Sequence, residues 1–210
     1  MKSDLKINIL LGLFAGLLVG VNLLGGKITS IFGISVSVGI FIMPVCFLIT
    51  DIIEEVHGRK LANHFIIAGA VTLIIIFLYT ALFVVLAPHQ RYGFNQEYKT
   101  IFGASLRMIL ASLAAFILSQ THDVWAFAFW KKKTKGKQLW LRNNLSTIVS
   151  QFIDTSVFMF IAFYNIAPKF TFWFIVQLIV PYYLFKVLFA LLDTPFVYLG
   201  SKWLKGKDYD

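Results

Sequence analysis

The sequence predicts an all-α membrane protein with six transmembrane helices and both termini in the cytoplasm. Three observations carry that prediction: a large apolar excess, six apolar stretches of spanning length, and cations crowded into alternate connections. Of the 210 residues 59% are hydrophobic, and the mean hydropathy is +0.79. That is more apolar surface than a soluble domain can hide. A bilayer resolves the conflict, because an apolar helix of about 20 residues can face lipid while satisfying its own backbone donors and acceptors. The apolar runs are continuous rather than alternating, which excludes a transmembrane barrel.

The six stretches fall at 6–24, 36–54, 62–87, 105–130, 142–164 and 173–200, and the chain reads as one six-span domain over 1–210. Lys2 and Lys6 before the first apolar run imitate a secretory signal, but no convincing small-residue cleavage site follows and five further spans do. Orientation comes from the connections. One set holds Lys2, Lys6, Arg59, Lys60, Lys131, Lys132, Lys133, Lys135, Lys137, Arg142, Lys202, Lys205 and Lys207, thirteen in all; the other holds Lys27, Arg91, Lys99 and Lys169, four. The cation-rich set belongs inside. The formal charge of +9 is therefore matched to anionic lipid headgroups of a bacterial inner membrane, and no nucleic acid is expected as a partner.

Within the first span Gly12, Gly16 and Gly20 form a smooth stripe, which packs against another helix of the same chain, makes a homodimer, or docks on a separate energy-coupling subunit. Packing within the chain is the expectation. Gly25, Gly26 and Gly33 mark an irregular turn between the first two spans, from which Lys27 can dip toward a cavity.

Ionisable groups in a spanning helix are costly unless they face protein or a water-filled cavity, so each is a functional candidate. Asp51, Glu54 and Glu55 end the second span on neighbouring positions of a helix. The fourth and fifth spans echo one another, Ser119-Gln120-Thr121-His122-Asp123 against Ser150-Gln151-Phe152-Ile153-Asp154. Counted at about 1.5 Å per residue, Gln120 and Gln151 lie at similar depth, so the segments can face each other across one polar layer. Asn143, Thr147, Gln151, Asp154 and Thr155 continue a helical stripe, which reads either as a cavity wall or as interhelical hydrogen bonding. The last span contributes Lys186 and Asp193 on one face; Lys186 either pairs with Asp193 or Asp154, or meets substrate.

Enzyme motifs are missing from the sequence. It holds no Walker loop, no His-Glu-x-x-His and no Gly-x-Ser-x-Gly elbow, and its four histidines are dispersed. A lone cysteine, Cys46, can neither form an internal disulfide nor hold a metal by itself. Polar groups spread over at least four spans suit a binding cavity better than a catalytic triad, so no cofactor is expected.

The run Pro44-Val45-Cys46-Phe47-Leu48-Ile49-Thr50-Asp51-Ile52-Ile53-Glu54-Glu55-Val56-His57-Gly58-Arg59-Lys60 resembles the signature of the queuosine precursor transporter family, also called the YhhQ or vitamin uptake transporter type. Further segments are similar to it: Arg107 to Ser112, Ser119-Gln120 with Asp123-Val124, and Leu141 to Thr147 leading to Gln151 and Asp154. The likeness extends from about residue 20 to about residue 195. Two departures stand out: His57 where an aromatic residue is commoner, and Asn165 where glycine is usual.

The resemblance implies six spans and uptake of a 7-deazaguanine: 7-cyano-7-deazaguanine, its aminomethyl analogue or queuine. A guanine-like edge presents an N–H beside an exocyclic amine, which one carboxylate accepts together; its carbonyl needs a donor, and its ring can stack on an aromatic side chain. The expected substrate-binding residues are Asp51, Glu54, Gln151, Asp154 and Lys186, with Asn22, Gln120 and Asp193 behind them. A secondary carrier is the leading reading, a capture subunit of an ATP-driven energy-coupling complex the second, and an intramembrane enzyme the third. The charge asymmetry makes a direct prediction: a membrane-impermeant thiol reagent on intact cells labels a cysteine at Gln96 and spares one at Lys133. The opposite pattern would invert the topology.

Overall fold

The computed structural model describes residues 3–134, 139–192 and 194–205. The described residues form these α-helical segments: α1 Ser3–Leu24, α2 Met43–His57, α3 Arg59–Val85, α4 Asn95–Lys133, α5 Leu139–Phe163, α6 Phe172–Leu192 and α7 Thr194–Lys205. Among the described residues three helical segments are long and apolar enough to cross a membrane, Asp4–Leu24, Lys60–Val85 and Asn95–Ser119, and two shorter apolar ones lie at Ile148–Phe163 and Phe172–Leu188. The protein is a helical membrane protein.

One stretch differs from the expected plan, for a local reason. Between α1 and α2 the glycine-marked turn is an ordered hairpin, β1 Ile28–Ile31 paired antiparallel with β2 Ile34–Ser37. Its two-residue loop is Phe32-Gly33, both at positive φ, as a tight hairpin of the mirror-image type requires. Ser37 then holds the exit: its hydroxyl donates to the Gly25 carbonyl at 2.6 Å and accepts from the Gly39 N–H at 3.1 Å, starting a short 3-10 turn at Val38–Phe41. Lys27 is exposed rather than turned inward. As a result α2 starts only at Met43, with Pro44 in its first turn, and its 15 residues extend about 22 Å. That is shorter than the expected span over 36–54.

Over the expected last span, 173–200, the described residues are helical on both sides of residue 193, as α6 and α7. Asp193 lies outside the described residues.

By contacts the chain divides into two units, residues 1–109 with 184–210, and residues 110–183. The first unit has a core drawn from four helices: Leu10 and Phe14 of α1, Cys46, Ile49, Ile52 and Ile53 of α2, Ala62 and Phe65 of α3, and Leu204 of α7. Gly58 turns the chain between α2 and α3 at φ +79, a left-handed conformation that a side chain would strain. Gly69 lets α3 press on α1, since a Cβ there would stand 2.7 Å from Leu18 Cδ2 and 2.8 Å from Phe14 Cε1. Gly200 of α7 lies equally close to Ile52. Lys6 completes the unit: buried, it donates its ammonium protons to the backbone carbonyls of Trp203 and Leu204 and lies over the Trp203 ring. Those carbonyls belong to the last described turn of α7.

Among the described residues nothing packs closely on the glycine stripe of α1. A Cβ at Gly12, Gly16 or Gly20 would meet no atom within 4 Å among the described residues. Gly69→Ala should therefore lower the thermal midpoint in detergent through overpacking, by about 1–3 kcal/mol. Gly16→Ala should hold or raise it, since alanine is the better helix former by about 1 kcal/mol. Equal losses in the two variants would show that the stripe is packed after all.

Candidate functional site

In the first unit the buried residues of α2 share one face and leave its acidic residues on the other. With Ile49 set at zero and 100° per residue, Cys46, Ile52 and Ile53 fall within about 60° of it, whereas Phe47, Asp51 and Glu54 cluster between about 140° and 200°. Asp51, Glu54 and Glu55 are exposed, consistent with that division. Lys186 of α6 comes to the same face, its ammonium 5.6 Å from the centre of the Phe47 ring, a cation–π distance. A carboxylate pair, an aromatic ring and an ammonium group thus belong to one side of α2. Phe47 was missed as a site residue, although its position one turn before Asp51 was the available signal.

Asn22 is 2% exposed, and its amide donates to the Leu18 carbonyl of its own helix at 2.9 Å. Buried in α1, it is bonded within the helix in part, as a polar group in that setting must be.

The second unit brings the two echoing segments together. His122 Nδ1 and Ser150 Oγ are 3.0 Å apart, a hydrogen bond from α4 to α5 that joins the sequences expected to face each other. The His122 ring lies beside Trp125, with centroids 5.9 Å apart. Gln120 and Asp123 belong to that α4 segment, but their side chains lie outside the described residues. On α5 Asp154 is half-buried, and Gln151 presents a buried Oε1 with no hydrogen-bond partner. The hydroxyls of Thr155 and Ser156 are likewise buried and unpaired. Ring contacts flank the row, Phe152 edge-on to Tyr183 at 5.5 Å with the Tyr183 hydroxyl donating to the Ile148 carbonyl at 3.4 Å. Among the described residues no group of three or more His, Cys, Asp or Glu side chains is placed to hold a metal.

Helices of spanning length that carry carboxylates, amides and hydroxyls on defined faces are the equipment of a membrane transporter, in which intramembrane polar groups mark the path of a solute. The comparison with known proteins agrees. Residues 37–200 match the family described as "Putative vitamin uptake transporter", and the chain belongs to that family. It is 31% identical over 188 residues, 89% of this chain and 81% of the relative, to the "Probable queuosine precursor transporter" of Bacillus subtilis (strain 168). It is 30% identical over 163 residues, 77% of this chain and 71% of the relative, to the "Queuosine precursor transporter" of Escherichia coli (strain K12). No solved structure matches the chain. The chain is therefore a transporter and not an enzyme.

The bond between His122 and Ser150 has a measurable value. Ser150→Ala removes that bond from the half-buried imidazole and should cost about 0.5–1.5 kcal/mol, the net contribution of a typical hydrogen bond, seen as a lower thermal midpoint in detergent. An unchanged midpoint would mean that the α4–α5 contact does not depend on it.

Proposed function

We propose that the protein imports 7-deazaguanine precursors of queuosine across a bacterial inner membrane as a secondary carrier. The observation that carries this reading is the shared face of α2, where Phe47, with the Lys186 ammonium over its ring, stands on the same side as Asp51 and Glu54. Each part has a counterpart on such a ligand: a carboxylate accepts from the exocyclic amine, the ammonium donates to one lone pair of the ring carbonyl, and the aromatic ring offers a stacking surface. Gln151 and Asp154, with Gln120 and Asp193 from the same sequence pattern, supply further polar groups of that kind, and the printed names of the two relatives support the same substrate class. Asn22 has a structural part to play through its bond to Leu18 and stands behind these residues.

The open glycine stripe of α1 favours a second reading, a capture subunit that works when docked on an energy-coupling partner, because small residues permit close helix approach. A homodimer would use the same surface. Counterflow of labelled 7-cyano-7-deazaguanine in liposomes containing only this protein separates the possibilities: the carrier exchanges label, whereas a capture subunit binds it and does not turn over.

Asp51→Ala should weaken binding by about tenfold to hundredfold, the equivalent of about 1.5–3 kcal/mol for a charge-assisted contact. An analogue lacking the exocyclic amine should bind the wild type poorly and lose little more in the variant, because the missing donor and acceptor belong to one contact. Strictly additive losses in binding titrations would remove Asp51 from that edge of the ligand.

A further inference from the structure

Threonine hydroxyls in these helices are normally satisfied by their own backbone. Thr50 donates to the Phe47 carbonyl at 2.8 Å, Thr72 to Ala68 at 2.8 Å, Thr100 to Gln96 at 2.8 Å, Thr121 to Ile117 at 2.7 Å and Thr134 to Trp130 at 2.9 Å. Back-bonding of this kind is how a hydroxyl is carried inside a helix at little cost. Thr155 does otherwise. It is 1% exposed, and its hydroxyl has no partner, although the Gln151 carbonyl lies the usual four residues before it.

Gln151 is also the second member of the pair. Its buried Oε1 is unpaired, and residues four apart on a helix stand on one face with Cβ atoms about 5–6 Å apart. Ser156, the third unpaired group on α5, lies about 100° further round and belongs to another face. A buried polar atom without a partner costs about 1–3 kcal/mol, so two on one face and one turn apart mark a place that a polar ligand completes. Their chemistry specifies its edge. An amide oxygen only accepts, so it calls for an N–H; a hydroxyl turned from its own backbone can donate, so it serves a carbonyl.

We propose that Thr155 and Gln151 form a subsite in the second unit that reads a cyclic lactam edge, Thr155 donating to the ring carbonyl and Gln151 Oε1 accepting the neighbouring N–H. This rests on the reading that the protein binds 7-deazaguanines, and it makes Thr155 a specificity residue: a heterocycle without the 6-oxo group forfeits the contact. The purified full-length protein is titrated with 7-cyano-7-deazaguanine and with the analogue lacking the 6-oxo group, in wild type, Thr155→Val and Thr155→Ser. Thr155→Val keeps the shape and removes the hydroxyl. Its affinity for the oxo ligand should fall roughly tenfold, as loss of one buried hydrogen bond predicts, while its affinity for the analogue is unchanged and Thr155→Ser restores the oxo preference. Without ligand, the thermal midpoint of Thr155→Val should hold or rise, because an unpaired hydroxyl has been removed. A lower midpoint with unchanged affinity would overturn the inference by showing that the hydroxyl has a structural partner or a bound water only. Wild-type binding that Thr155→Val leaves intact for both ligands defeats the subsite alone, whereas no binding of the oxo ligand by wild type defeats the transport reading together with it.

Discussion

The governing constraint is that a polar group inside hydrocarbon has no water to fall back on. Each must find a partner within the protein or belong to a surface that holds solute or water. Most of this chain obeys by local means: hydroxyls bond to their own helix, and Asn22 donates to Leu18. Lys6 obeys at long range, donating to two backbone carbonyls of α7. Against that background the unpaired atoms of Gln151 and Thr155 stand out because neighbouring residues show how easily such groups are satisfied.

The same constraint explains where the helices stop. Backbone groups released at a helix end need other partners, and each break supplies them. Ser37 serves both Gly25 and Gly39 at the hairpin exit. At Gly58 the N–H still reaches the Glu54 carbonyl at 2.8 Å while α3 begins one residue later, so the acidic end of α2 adjoins the basic start of α3 without an intervening loop. Asn165 adopts φ +56 after α5, and its N–H donates to the Phe170 carbonyl at 3.0 Å. Asparagine enters the left-handed region more readily than most residues, so it can hold a turn of this kind without glycine.

What the sequence made legible was the solvent and the chemistry. Apolar run length announced a helical membrane protein, and the paired Ser-Gln motifs announced the α4–α5 contact later seen between His122 and Ser150. The hairpin was not legible because Ile28 to Ser37 mixes apolar and hydroxyl residues without an Asn-Gly or Asp-Gly turn, so its strands read as loop and as the start of a span. Gln151 was legible as a polar residue in a spanning helix; Thr155 was only part of a stripe, because sequence cannot tell whether a threonine bonds to its own backbone or turns away from it.

The Lys6 contact also bears on how the protein is made. The first unit is assembled from both ends of the chain, residues 1–109 and 184–210, whereas the second is one continuous stretch, 110–183. Synthesis runs from the N-terminus, and domains fold as their residues are delivered. The second unit can complete its contacts while the last segment is still within the ribosome. Lys6 is made long before Trp203 and Leu204 and obtains its acceptors only when they follow. Until then the α1–α2–α3 core lacks Leu204, and a buried lysine awaits its counterpart. Insertion of the C-terminal helix thus becomes the step that closes the older half of the molecule, and a ribosome that stops short leaves that half unsealed.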